Sequence, residues 1–194
     1  MRSLIFGVMI LASSVFVHAQ KTIRQVDFKN FSYQLSSHLL GHARLQWLDV
    51  SPGGTIKGQT VRLVNGVTGK YAAGSPGFTL QSIEYADVTG DGKEDAIVVL
   101  RYDSGSTQNT HYIYIYSMAN GHPKLLAYCH TGGGTNLGLH KAYGEQAELV
   151  IEMLDRQNLL GNCCTTGFVR LRYKWHDGGF QISGAPEHGT LKQP

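Results

Sequence analysis

The stretch Asp87-Val88-Thr89-Gly90-Asp91-Gly92-Lys93-Glu94-Asp95 sets aspartates at its first, fifth and ninth positions, and the chain then runs straight into Ile97-Val98-Val99-Leu100. Carboxylates at this density suit two kinds of chemistry. A hard cation such as calcium takes about six to eight oxygen ligands, and alternate residues of a tight loop can turn their oxygens to a common centre. The same residue types also make metal-free turns. Short Asp side chains accept hydrogen bonds from main-chain N–H groups a few residues on, and Asp91-Gly92 supplies the bend. In either case the loop launches a strand, because Ile97 to Leu100 is apolar on both faces, as a central strand requires.

The pattern resembles the D-x-[DN]-x-D-G-x-x-D calcium loop of FG-GAP/VCBS-type repeats, found in integrin-like propellers and many exported bacterial proteins. The resemblance implies side-chain oxygens from Asp87, Thr89, Asp91 and Asp95, the main-chain carbonyl of Lys93, and a sharp turn at Gly92. Thr89 stands where the pattern carries Asp or Asn. A neutral hydroxyl there places the expected calcium affinity in the weak extracellular class, about 10⁻⁴ to 10⁻³ M. The later stretch from Gly161 to Trp175 is similar to secreted bacterial proteins that carry one such loop.

Enzyme signatures are missing from the sequence. The glycine-rich segment from His130 to Gly138 has neither a G-x-S-x-G nucleophile elbow elsewhere to serve nor a Lys-Ser/Thr pair after it to close a phosphate loop. It reads as a surface loop. The histidines are spread singly; His38 and His42 stand four apart, and most of the set reads as surface residues.

Two strand faces suit binding. Tyr112, Tyr114 and Tyr116 alternate with Ile113 and Ile115, and could form an aromatic platform for sugar rings or peptide side chains. The competing expectation is cross-strand packing of the tyrosines under neighbouring loops. Arg170, Arg172 and Lys174 share the other kind of face, a basic strip able to meet an anionic surface or simply the solvated side of an edge strand.

The elements that position these residues are strands. Charged residues are scarce (16%) and glycine is abundant (24 of 194), a balance that favours short strands and tight turns. Alternating segments at 26–35, 44–50, 60–71, 78–88, 96–102, 110–118, 120–129 and 168–182 are separated by Asn65-Gly66, Asn120-Gly121 and Asp177-Gly178 turn signals. Glu148 to Leu154 has a pattern that also fits a helix, but β-branched Val150-Ile151 among strand neighbours favours strand. The expected fold is all-β, with antiparallel strands in a sandwich or a propeller-blade-like meander.

The N-terminus carries Arg2, an apolar run from Leu4 to Leu11 and Val17-His18-Ala19, the layout of a signal peptide cleaved after Ala19. Residues 20–194 then form one exported β domain, secreted or periplasmic, with no transmembrane segment. In an oxidising compartment, Cys129 is expected to bridge Cys163 or Cys164, because a bridge between the two neighbours is strained. A net charge of +3 on scattered residues makes no case for nucleic acid. These features favour a non-catalytic domain binding a protein or polysaccharide, with calcium as an expected cofactor of its loop. The alternative is an extracellular or periplasmic hydrolase built from distant residues, such as Glu84 or Asp103 with a histidine.

Overall fold

The computed structural model describes residues 21–36, 46–48, 58–68, 76–105, 109–131, 138–155, 159–160 and 164–191. The signal-peptide segment, His38, His42, most of the glycine-rich loop and Cys163 lie outside them. The strands are β1 (Ser32–Ser36), β2 (Gln46–Leu48), β3 (Gly58–Arg62), β4 (Gly77–Ala86), β5 (Asp95–Asp103), β6 (Asn109–Ala119) and β7 (His122–His130). They continue with β8 (Leu139–Glu145), β9 (Glu148–Leu154), β10 (Leu159–Leu160), β11 (Cys164–Thr165), β12 (Gly167–His176), β13 (Gly179–Ile182) and β14 (Glu187–Thr190). Every pairing is antiparallel. No described helix is long and apolar enough to cross a membrane.

A five-stranded sheet, ordered β2-β7-β6-β5-β4, is the centre of the molecule. A second sheet, ordered β13-β12-β9-β8 with β14 also on β12, packs against one of its faces, and the β1-β3 pair covers the other. The all-β sandwich expectation therefore holds, and neither sheet closes into a barrel. The period-2 alternation of β6 divides its side chains between two cores. Ile113 and Ile115 join Ile97, Val99, Leu149, Ile151 and Tyr173 between the large sheets. Tyr112, Tyr114 and Tyr116 join Ala96, Val98, Leu100, Phe28 and Tyr33 beneath the N-terminal layer.

The turn chemistry follows the sequence where it is explicit. Asn120-Gly121 (φ 52° and 78°) joins β6 to β7, and Asp177-Gly178 (φ 48° and 83°) joins β12 to β13. Left-handed values at both central positions match the strand twist of a tight hairpin. Gln146-Ala147 makes the same kind of turn between β8 and β9, at φ 54° and 59°, with no glycine or asparagine to announce it.

One expectation on local structure fails. The alternation from Val26 to Asn30 reads as strand, but Phe28–Asn30 is a 3-10 turn, and the strand begins at Ser32. Asp27 caps that turn, accepting the N–H groups of Lys29 and Asn30. The cap holds Phe28 where its ring is buried in the tyrosine core. Glu148–Leu154, by contrast, is the strand it was expected to be.

The large sheets meet closely where β8 crosses the end of β4. A β-carbon on Gly144 would sit 2.3 Å from Ala86 Cβ and 2.8 Å from Val88 Cγ1, so this crossing has room for glycine alone. The contact fixes the start of the aspartate loop, since Val88 is one of its residues and is fully buried.

Candidate functional site

The aspartate loop joins β4 to β5 and is organised by its own main chain. Asp87 accepts the N–H of Gly90 through Oδ1 at 2.7 Å and that of Gly92 through Oδ2 at 2.8 Å. Asp91 Oδ1 accepts the Lys93 N–H at 2.9 Å, an Asx-type turn. Asp95 Oδ2 accepts the N–H groups of Val88 (3.1 Å) and Thr89 (3.2 Å) and the Thr89 hydroxyl (3.1 Å). Gly90 and Gly92 take left-handed φ values of 75° and 82°, which turn these donors inward.

The aspartates do not share one centre. Among the described residues no group of three or more His, Cys, Asp or Glu side chains is placed to hold a metal ion. Asp91 lies at the surface, whereas Asp95 is fully buried at the base of the loop. Burial pushes the Asp95 carboxyl up from its ordinary range; hydrogen bonds from Ser117, Val88 and Thr89 pull the other way. Its Oδ1 is a buried atom without a hydrogen-bond partner of good geometry among the described residues. Glu94, at the outer end, is gripped by Arg24 through paired 2.6 Å hydrogen bonds, which tie the N-terminal 3-10 turn to the loop.

The tyrosine row is not a surface. Tyr112, Tyr114 and Tyr116 are 9%, 0% and 5% exposed, so the platform expected of them is replaced by a packed core. The Tyr114 ring lies 5.1 Å from that of Tyr33 and 4.9 Å from that of Tyr128, and its hydroxyl donates to the Gln34 carbonyl at 3.0 Å. The cause is β1, which lays Tyr33 over the face that the sequence leaves open.

The cysteine expectation meets a similar correction. Cys129 is a free thiol, buried between the large sheets beside Ile113 and Ala127, and burial pushes its pKa well up. The expected bridge to Cys163 or Cys164 is not formed; Cys163 and the side chain of Cys164 lie outside the described residues.

On the outer face of the second sheet the basic strip is occupied. Arg170 meets Glu152 at 2.8 Å and Glu187 at 3.1 Å; Arg172 meets Glu145 at 2.7 Å and Glu187 at 3.0 Å. Each guanidinium bridges strands, so the face holds itself together and offers little unpaired positive charge there. The hydrolase alternative gains no pairing either. Glu84 is in register with Ile97 and Asp103 with Gly77, at opposite ends of the β4–β5 ladder.

Two features escape sequence reasoning. One is a cavity of about 420 Å³ beside the β6–β7 turn, walled by Phe31 and Tyr116 and bordered by Gln34, Asn120, His122 and Lys124. The Asn120-Gly121 signal locates the turn, but the cavity exists because β1 and the residue before it pack across that end of the sheet. The other is a pair of buried histidines, His111 (9% exposed) and His130 (1%), at the far end of β6 and β7. Burial lowers the pKa of both, that of His111 to about 4, with Arg101 adding to the effect.

No family model, curated protein or solved structure matches the chain. Fold and site together define an antiparallel β-sandwich with an aspartate-capped strand entry and a mixed aromatic and polar cavity at one hairpin end.

Proposed function

We propose that the chain is an exported, non-catalytic β-domain that binds a polysaccharide or protein partner beside the β6–β7 turn. The observation that carries this reading is the hairpin-end cavity. Phe31 and Tyr116 supply an aromatic wall, while Gln34, Asn120 and Lys124 supply donors and acceptors at its border. An aromatic wall packs on the apolar face of a sugar ring while polar neighbours bond its hydroxyls, so the cavity favours a polysaccharide. Export rests on the pattern of Arg2, the Leu4 to Leu11 run and Val17-His18-Ala19.

A glycan array with residues 20–194 should retain polysaccharide, and the matching oligosaccharide should move the NMR signals of Phe31 and Asn120. Capture of a defined protein with no glycan retained would replace the polysaccharide by a protein partner. Turnover of the oligosaccharide would reject the non-catalytic reading.

The aspartate loop is proposed as a weak calcium site in the same domain. Its acid side chains do not gather around one point, so the site is not preformed. What supports calcium is Asp95 Oδ1, a buried carboxylate oxygen that a cation would satisfy. At 5 mM calcium and the affinity expected above, the native state should gain about 1–2 kcal/mol, or roughly 2–8 °C in melting temperature. Magnesium should give less, because it demands stricter octahedral geometry. Asp91→Ala should remove the increment. A wild-type melting curve that calcium leaves unmoved would reduce the stretch to a turn.

A further inference from the structure

We infer that the hairpin-end cavity selects an acidic sugar, reading a ligand carboxylate through Lys124. The inference rests on the saccharide-binding reading above and adds the charge of the ligand. Its starting point is how this chain treats its cations. Arg24, Arg101, Arg170 and Arg172 each have a carboxylate within ion-pair distance. Lys124 makes no ion pair among the described residues, and the cavity it borders has no Asp or Glu in its lining.

The local order of residues shows why the cation belongs to the cavity. β7 opens His122-Pro123-Lys124-Leu125, and Leu125 is buried in the tyrosine core while His122 and Lys124 are exposed. Tyr116 is in register with Leu125 and Ser117 with Lys124, so the lysine stands one pair inward from the turn. The aromatic wall is rigid: Phe31 and Tyr116 meet edge to face at 5.4 Å, and both rings also touch Phe28 and Tyr33. A sugar ring laid against that wall would present its ring substituents to the Asn120, His122 and Lys124 border.

Charge then decides the ligand class. A half-enclosed site has a lower effective dielectric than water, which strengthens a carboxylate–ammonium contact beyond its value on an open surface. A neutral sugar gains the aromatic and hydroxyl contacts without it. A volume of about 420 Å³ sits in the lower part of the range of small-ligand sites. It suits a terminal or short internal segment rather than a long chain in a groove. The ligand class is therefore a uronic-acid-bearing saccharide.

The test compares oligogalacturonate with its fully methyl-esterified form of the same length, by calorimetry on residues 20–194 at low salt. Oligogalacturonate should bind about ten-fold or more tightly than the ester, the size expected of one charge-assisted hydrogen bond. Lys124→Gln should erase that difference and leave the affinity for the ester unchanged. Lys124 is exposed, so the variant should melt with the wild type. Equal affinity for both oligomers would overturn the acidic preference while leaving saccharide binding intact. A preference that survives in Lys124→Gln would overturn the assignment to this residue. Failure to bind either oligomer, in a folded protein that binds no other glycan, would overturn the reading on which the inference rests.

Discussion

Tyr114→Ala should cost the domain about 3–5 kcal/mol of unfolding free energy, the range for deleting a large buried ring. The ring has no exposed surface and is held among Tyr33, Tyr116 and Tyr128, with centroid distances of 5.1, 6.1 and 4.9 Å. Alanine would leave a cavity that the neighbouring rings, fixed by strand register, cannot close. It would also remove the hydroxyl that donates to the Gln34 carbonyl, part of the tie between β1 and β6. Tyr114→Phe should lose only the hydrogen bond, about 1 kcal/mol. Urea unfolding with an unchanged m-value would measure both. An alanine variant with the wild-type midpoint would restore the tyrosine row to the surface and undo the three-layer description.

Acid should weaken the fold through His111. This group ionises at about 6.5 in an unfolded chain but is pushed down to about 4 in the native state. Between those values the unfolded chain binds the proton and the native state does not. Stability is therefore full above pH 6.5 and falls as pH drops towards 4, by about 3 kcal/mol in total. Arg101 on the neighbouring strand, in register with His111, sharpens the effect. Gly138 leaves no room for relief, since a β-carbon there would come within 3.3 Å of Nδ1. His130 shifts in the same direction. Asp95 works the other way: its raised pKa stabilises the native state in acid, and that contribution is lost as pH rises through its folded value.

The subtraction of a non-titrating variant isolates the histidine from these other groups. Urea midpoints for wild type and His111→Leu at pH 7 and pH 4.5 should show most of the acid loss in the wild type and a flatter response in the variant. Parallel pH profiles for the two proteins would remove His111 from the account.

The proposed binding face moved when the strands were assembled. Tyr112, Tyr114 and Tyr116 are legible as one face of a strand, and Ile113 and Ile115 as the other. A period of two separates the faces without saying which of them meets solvent. Here both are covered, because β1 and the Phe28–Asn30 turn fold back over the tyrosines. The cavity appears at the margin of that cover, bringing Phe31 and Gln34 to residues about ninety positions later, at the Asn120-Gly121 turn. Nothing local in either segment encodes the meeting.

The aspartate loop divides in the same way. Asp91-Gly92 and the apolar run after it determine a bend entering a buried strand, and that much is local chemistry of side chain and adjoining backbone. Which carboxylate is buried is a tertiary matter. Asp95 is fully enclosed because β5 lies inside the central sheet and β8 crosses close above Val88 at Gly144, while Asp91 is left outside.

By itself the sequence determined the all-β class, most of the strands, the Asn-Gly and Asp-Gly turns and the bend at the loop. These depend on alternation and on backbone preferences within a few residues. The tertiary structure decided which faces are buried, why Cys129 is a lone core thiol, which arginines are already paired, and where a ligand can enter. Those outcomes depend on which sheet lies against which, and on contacts between residues far apart in the chain, where short-range patterns carry no information.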